Sequence, residues 1–185
     1  MGTLIELTKS DILKYLELIN EKLIEQNQHG EISICGGAAM ALVYDARDAT
    51  YDIDALYMPK DVMSKIIAQI AEEYSLDTHW LNDDFSMFIA GIIELTSTTY
   101  LSYSNLSVKM VDAKCLLSMK LISAREESND LLDAVVLIRH LDVKSVDELH
   151  ALIDVFEGHY HPTALQESRM FADMAFRKAK ALQKP

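Results

Sequence analysis

The stretch SICGGAAM, residues 33–40, constrains this chain more than any other. EISIC is short, β-rich and apolar, AAMALVYDA reads as a helix, and Gly36-Gly37 lies directly between them. The pair therefore marks a strand that turns straight into a helix. With no Cβ in the way, backbone N–H groups at such a turn can approach a phosphate, and the helix dipole adds partial positive charge. A plain tight turn explains the same pair. YDIDALYM, ending at Pro59, alternates and reads as the next strand. On it Asp52 and Asp54 leave the same face, while Ile53 points the other way into the core with Leu56 beside it.

The periodicity around these two strands changes once along the chain. KSDILKYLELINEKLIEQNQ, residues 9–28, sets Ile12, Leu13, Leu16, Ile19 and Leu23 at helical spacing, with Ser10 as cap and His29-Gly30 as stop. KDVMSKIIAQIAEEY is an amphipathic helix. LDTHWL suits a strand, DDFSMFIAG a short helix, and YLSYSNLSVKMV a hairpin or two strands around Ser104-Asn105. From residue 112, DAKCLLSMKLISA, DLLDAVVLIRHL, SVDELHALIDVF and TALQESRMFADMAFRKAKAL all show helical periodicity. The expected class is α+β: a sheet covered by helices through residues 1–111, then a helical region over 112–185.

Composition narrows the partners. The net charge of −12, from 29 acidic and 17 basic residues, argues against a surface built for nucleic acid. Mild basic clusters at 109–125 and 169–184 still allow a local groove. Cys35 and Cys115 are isolated, which argues against a zinc knuckle or a disulfide framework and suits reduced thiols filling core space. The start MGTLIELTKSDI lacks the basic region and apolar stretch of a signal peptide, and Glu6 breaks the myristoylation pattern. No apolar run reaches the length of a membrane span. A cytoplasmic chain with no membrane partner is expected.

Two carboxylates at the spacing of Asp52 and Asp54 suit hard divalent cations held by oxygen ligands, and phosphoryl and nucleotidyl transfer use such sites. Thr50, on the same face, can add a hydroxyl. The competing reading is an acidic exposed face of an edge strand; the preceding glycine pair tips the balance towards a metal and a nucleoside triphosphate. Lys120 interrupts an apolar stripe formed by Leu116, Leu117 and Ala124. It is either a lysine reaching out from the core edge or an ammonium aimed at triphosphate oxygens. Arg125, Asp130 and Asp133 follow, either as part of that site or as a structural ion pair. His159 and His161 lack a third ligand nearby, so a loop before Pro162 is the better reading. Trp80 and Asn82 are explained as well by core packing and a turn as by a pocket.

Two motifs carry a family resemblance. CGG…DARDATYDIDALY resembles the first motif of the DNA polymerase β-like nucleotidyltransferase superfamily: an apolar residue, Gly, Gly or Ser, then Asp-x-Asp on the next strand. LLSMKLISAREESNDLLDAVVLI, a lysine followed by Arg and then D-x-x-D, resembles the later motif of the bacterial abortive-infection toxin-like nucleotidyltransferases, as does TYLSYSNLSVKMVDAKCLL. The resemblance spans residues 31–160. It implies a nucleotidyltransferase-fold mixed β-sheet flanked by helices, with a C-terminal helical extension. It further implies magnesium or manganese on Asp52 and Asp54, the triphosphate at Gly36 and Gly37, and Lys120 on its phosphates. Asp130 or Asp133 would shape the site in toxin-like members. The gap between Gly37 and Asp52 is longer than in the shortest family members, and Glu94 and Asp112 are the candidates for a third carboxylate.

Three activities follow from the resemblance. The first is transfer of a nucleoside monophosphate from an NTP to an acceptor, RNA or protein, by a toxin held in check by a cognate antitoxin. The second is a small-molecule nucleotidyltransferase that modifies an antibiotic hydroxyl, which the acidic surface suits better. The third is a non-catalytic nucleotide sensor or partner-binding subunit of the same fold.

Overall fold

A computed structural model describes residues 5–86, 91–123 and 129–182. The chain divides into two compact units, residues 1–88 with 97–111, and residues 89–96 with 112–185. The expected helix over DDFSMFIAG falls partly on 87–90, outside the described residues, as does Arg125.

The first unit opens with β1 (Leu7–Thr8) and α1 (Lys9–Glu25). Helix α1 starts on Thr8 rather than Ser10: the Thr8 hydroxyl accepts the Asp11 N–H, and Asp11 Oδ2 accepts the Thr8 N–H, at 3.3 and 3.0 Å. This reciprocal capping box satisfies two amides that the first turn would otherwise leave without partners. The helix also stops before the expected His29-Gly30. Asn27 takes the left-handed conformation, φ 50°, which asparagine tolerates better than most residues, and Gly30 instead opens a strand.

That strand is β2 (Gly30–Ile34), followed by α2 (Gly36–Val43), β3 (Ala49–Thr50), β4 (Ile53–Met58), α3 (Lys60–Tyr74) and β5 (Leu81–Asn82). The hairpin β6 (Ser97–Ser102) and β7 (Leu106–Val111) completes a five-stranded mixed sheet in the order β5-β4-β2-β7-β6. Strand β2 runs antiparallel to β4 and parallel to β7, and β4 runs parallel to β5. Strands β1 and β3 form a separate two-stranded sheet. Helix α1 buries Ile12, Tyr15, Leu16, Ile19 and Leu23, and it packs with α3, which buries Met63, Ile66, Ile67 and Ile70. Asn20 is the buried polar exception on α1. Its Oδ1 accepts the Asn105 N–H at 2.9 Å, which pins the β6–β7 turn to the helix.

Along β4 the expected alternation holds with one correction. Ile53, Ala55 and Tyr57 are buried, whereas Leu56 shares the half-exposed face of Asp54 and does not join Ile53. The pleat decides this, because residues three apart lie on opposite faces of a strand.

The second unit is helical: α4 (Ala113–Ile122), α5 (Asp130–His140), α6 (Val146–Asp154) and α7 (Pro162–Ala181). Asp112 caps α4 by accepting the Cys115 N–H at 2.9 Å, and Ser145 with Glu148 forms a capping box on α6. Pro162 stands in the first turn of α7, where its missing N–H costs nothing. Helix α7 packs against α4, α5 and α6, burying Leu165, Ala172, Ala175 and Ala179. Both cysteines are free thiols, Cys35 buried and Cys115 half-buried. Among the described residues no helix is long and apolar enough to cross a membrane.

Candidate active site

The glycine turn and the aspartate strand meet in the first unit. Past the last β2–β4 pair, Ile34 opposite Ala55, the backbone N–H of Cys35 donates to the Asp54 carbonyl at 2.8 Å, and its thiol reaches the same oxygen at 3.3 Å. The chain then turns through Gly36, whose φ of +60° is the left-handed conformation that glycine adopts without cost. A Cβ there would collide with Oδ2 of Asp54. Gly36 is therefore required twice, for its backbone angle and for the room it leaves a carboxylate.

Gly37 serves a different neighbour. Its φ is not positive, so conformation does not demand a glycine. Space does: a Cβ would come to 2.5 Å from Thr50 Oγ1 and 2.9 Å from Arg47 Nη1. Helix α2, which begins on these glycines and packs against β3 and β4, is buried on every side from Gly37 to Leu42. Its N-cap residue, Cys35, gives no side-chain hydrogen bond to the first turn.

The structure thus gathers Gly36, Gly37, Thr50 and Asp54, and adds Arg47, which sequence reasoning missed. The only hint of Arg47 was a single cation in the otherwise acidic run DARDATYDID. Thr50 is buried in β3, and Asp52 is half-buried in the link between β3 and β4. Asn82 lies opposite Asp54 in the β4–β5 register, but its side chain shapes a turn: Nδ2 donates to the His79 carbonyl at 3.2 Å and Oδ1 accepts the Asp84 N–H at 3.1 Å. Trp80 is core, with its indole N–H on the Ile67 carbonyl at 3.2 Å.

The residue types here, two aspartates and a threonine, are oxygen donors of the kind a hard divalent cation takes. Among the described residues no group of three or more His, Cys, Asp and Glu side chains is placed to hold a metal ion. That is not what magnesium requires at a nucleotide site, where one or two carboxylates suffice and phosphate oxygens and waters complete the shell. Asp54 occupies the space that glycine at 36 leaves, and Asp52 stands two residues before it, half-buried in the link between β3 and β4.

In the second unit, Lys120 on α4 sits between two carboxylates of α5. Its Nζ is 2.6 Å from Asp130 Oδ1 and 3.0 Å from Asp133 Oδ2, with all three side chains largely buried. The ion pair considered from sequence joins Asp130 and Asp133 to Arg125, which lies outside the described residues; the pairing observed is with Lys120. His161 caps α7, its Nδ1 accepting the Thr163 N–H at 3.3 Å, and His159 is exposed. Glu94 lines a cavity of about 710 Å³ wholly within this unit, and Asp112 is engaged in capping α4.

A five-stranded mixed sheet with three helices in the first unit, and a C-terminal unit of four helices among the described residues, is consistent with a nucleotidyltransferase fold. The chain belongs to the family described as "Nucleotidyltransferase of unknown function (DUF6036)", whose model matches residues 11–179. No curated protein and no solved structure gives a significant match.

Proposed function

We propose that this nucleotidyltransferase transfers a nucleoside monophosphate from an NTP to an acceptor hydroxyl, releasing pyrophosphate, with magnesium or manganese as cofactor. The contact between Gly36 and Asp54 carries the reading. A left-handed glycine at a strand-to-helix turn leaves backbone N–H groups and a carboxylate side by side, the pairing that a metal-bound triphosphate needs. Asp52 and Asp54 hold the cation, Gly36 and Gly37 cradle phosphate oxygens, and the Thr50 hydroxyl donates nearby. When bound, the cation supplies Lewis-acid stabilisation of the charge that builds on the transferring and leaving oxygens. The resemblance of the second motif brings in Lys120, Arg125, Asp130 and Asp133 as nucleotide contacts.

The acceptor in this reading is RNA or protein, and the chain is a toxin restrained by a cognate antitoxin, as the resemblance to abortive-infection proteins suggests. One observation favours a small-molecule acceptor instead. Several cations that could form a nucleic-acid strip are engaged internally: Lys109 with Glu31 at 2.7 Å, Arg169 with Asp154 and Glu157 at 2.7 Å each, and Lys180 with the Val143 carbonyl at 2.9 Å. A chain at −12 with those groups engaged suits a small or cationic acceptor, such as an antibiotic hydroxyl.

Incubation with each labelled NTP, magnesium, and total RNA, protein lysate or aminoglycosides separates these readings. Label on RNA or protein supports the macromolecular acceptor, and label on the drug supports the small one. Label nowhere, with NTP still bound, leaves a nucleotide-binding protein without transfer. Calorimetry tests the metal: affinity for NTP should rise in magnesium over chelator, and Asp52→Asn or Asp54→Asn should remove the difference. Equal affinity in both conditions overturns the metal site.

A further inference from the structure

The two glycines of the turn accommodate groups of opposite charge. Gly36 makes room for the Asp54 carboxylate, and Gly37 makes room for the Arg47 guanidinium and the Thr50 hydroxyl. Gly37 needs no glycine for its backbone angle, and its missing Cβ leaves the space in which Thr50 and Arg47 approach the start of α2. Thr50 is fixed in β3 by pairing with Leu7, and Arg47 lies three residues before it, in the segment between α2 and β3.

Opposite charges around one turn suit a ligand that carries both. Carboxylates attract the cation of a metal–nucleotide complex, and a guanidinium attracts its phosphates. Arginine presents five donors in a planar fork that matches phosphate oxygens in pairs, at a strength well above that of a neutral hydrogen bond. We infer that Arg47 binds the β- and γ-phosphates of the NTP, the part that leaves as pyrophosphate. The inference rests on the nucleotidyltransferase reading and adds to it a residue that neither motif marked. Arg47 makes no bond to the acceptor. It holds the leaving group and draws charge from it as the bond between the α-phosphorus and the bridging oxygen breaks.

The test titrates the full chain in magnesium with ATP, GTP, CTP and UTP, and with inorganic pyrophosphate, for wild type, Arg47→Gln, Arg47→Lys and Asp54→Asn. Arg47→Gln should weaken the preferred NTP and pyrophosphate in parallel, by about ten- to a hundredfold, the loss expected for a charged hydrogen bond. It should keep the gain in affinity from magnesium that Asp54→Asn loses. Arg47→Lys retains the charge without the fork and should fall between. If Arg47→Gln proves too unstable to titrate, Arg47→Lys decides alone, and wild-type affinity for both ligands overturns the inference. Wild-type NTP and pyrophosphate affinity in a folded Arg47→Gln likewise overturns it and leaves the nucleotidyltransferase reading standing. A wild type that binds neither ligand in magnesium overturns both.

Discussion

Nζ of Lys120 lies 3.0 Å from Oδ2 of Asp133, a carboxylate only 1 % exposed, and Asp130 closes on the same ammonium from the other side at 2.6 Å. Two largely buried carboxylates thus share one largely buried cation inside the helical unit. Removing the cation takes a close charged partner from both.

Lys120→Met should therefore lower stability by about 3–5 kcal/mol, the cost of breaking a buried pair from one side. Denaturant unfolding measures it. A variant that melts at or above wild type would mark the pair as dispensable for the fold. NTP affinity, measured below the melting transition, then reads any phosphate contact separately.

Gly36→Ala combines a left-handed backbone penalty of about 1–2 kcal/mol with a collision against the Asp54 carboxylate. Gly158 has φ +83° and open space around it, so Gly158→Ala carries the backbone penalty alone. Gly36→Ala should lose more stability than Gly158→Ala and should also lose magnesium-dependent NTP binding. Equal melting temperatures and equal NTP affinity in the two variants would mean that Asp54 is not held against the turn.

Tyr15 packs against Tyr74 and Trp80, with ring centroids 5.7 and 5.2 Å apart. Burial, then the Asp11 carboxylate and Tyr74, push its phenol above the ordinary 10.0. A raised folded-state value means a contribution that is complete below about pH 10 and is lost as pH rises through the folded value. Thermal melts from roughly pH 8 to 11 should show wild type losing stability faster than Tyr15→Phe at the alkaline end. Parallel curves would contradict this.

If RNA is the acceptor, Arg177 and Lys178, both exposed on α7, are candidates to meet it, with the exposed Lys114 on α4. Reversing the charge of Arg177 and Lys178 should then cut RNA modification more than NTP binding, and RNA affinity should fall steeply with salt. A flat salt profile, with no RNA retained at low salt, rules RNA out.

The local chemistry of this chain is legible in its sequence. The strand-to-helix turn at Gly36-Gly37, the alternation of β4, the hairpin at Ser104-Asn105 and the helical periodicity after residue 112 all depend on neighbours close along the chain. Backbone angle, pleat and helical repeat act over those few residues. Helix ends were read less well. Sequence suggests Ser10 as the cap, but Thr8 caps α1 through reciprocal bonds with Asp11, and Asn27 ends the helix before Gly30.

Contacts between segments distant along the chain were settled by tertiary packing. Sequence suggested Arg125 as the ion-pair partner of Asp130 and Asp133, and helical periodicity gave no sign that Lys120 meets them too. The packing of α4 on α5 brought the Lys120 ammonium between the two carboxylates. Arg47 was invisible for the same reason. A lone arginine in a connecting segment has no periodicity, and its approach to Gly37 exists only because α2 packs against β3 and β4. Local sequence sets which residues can turn, alternate or cap. Which charges meet was left to close packing, where the absence of a single Cβ decides whether a carboxylate or a guanidinium can reach its place.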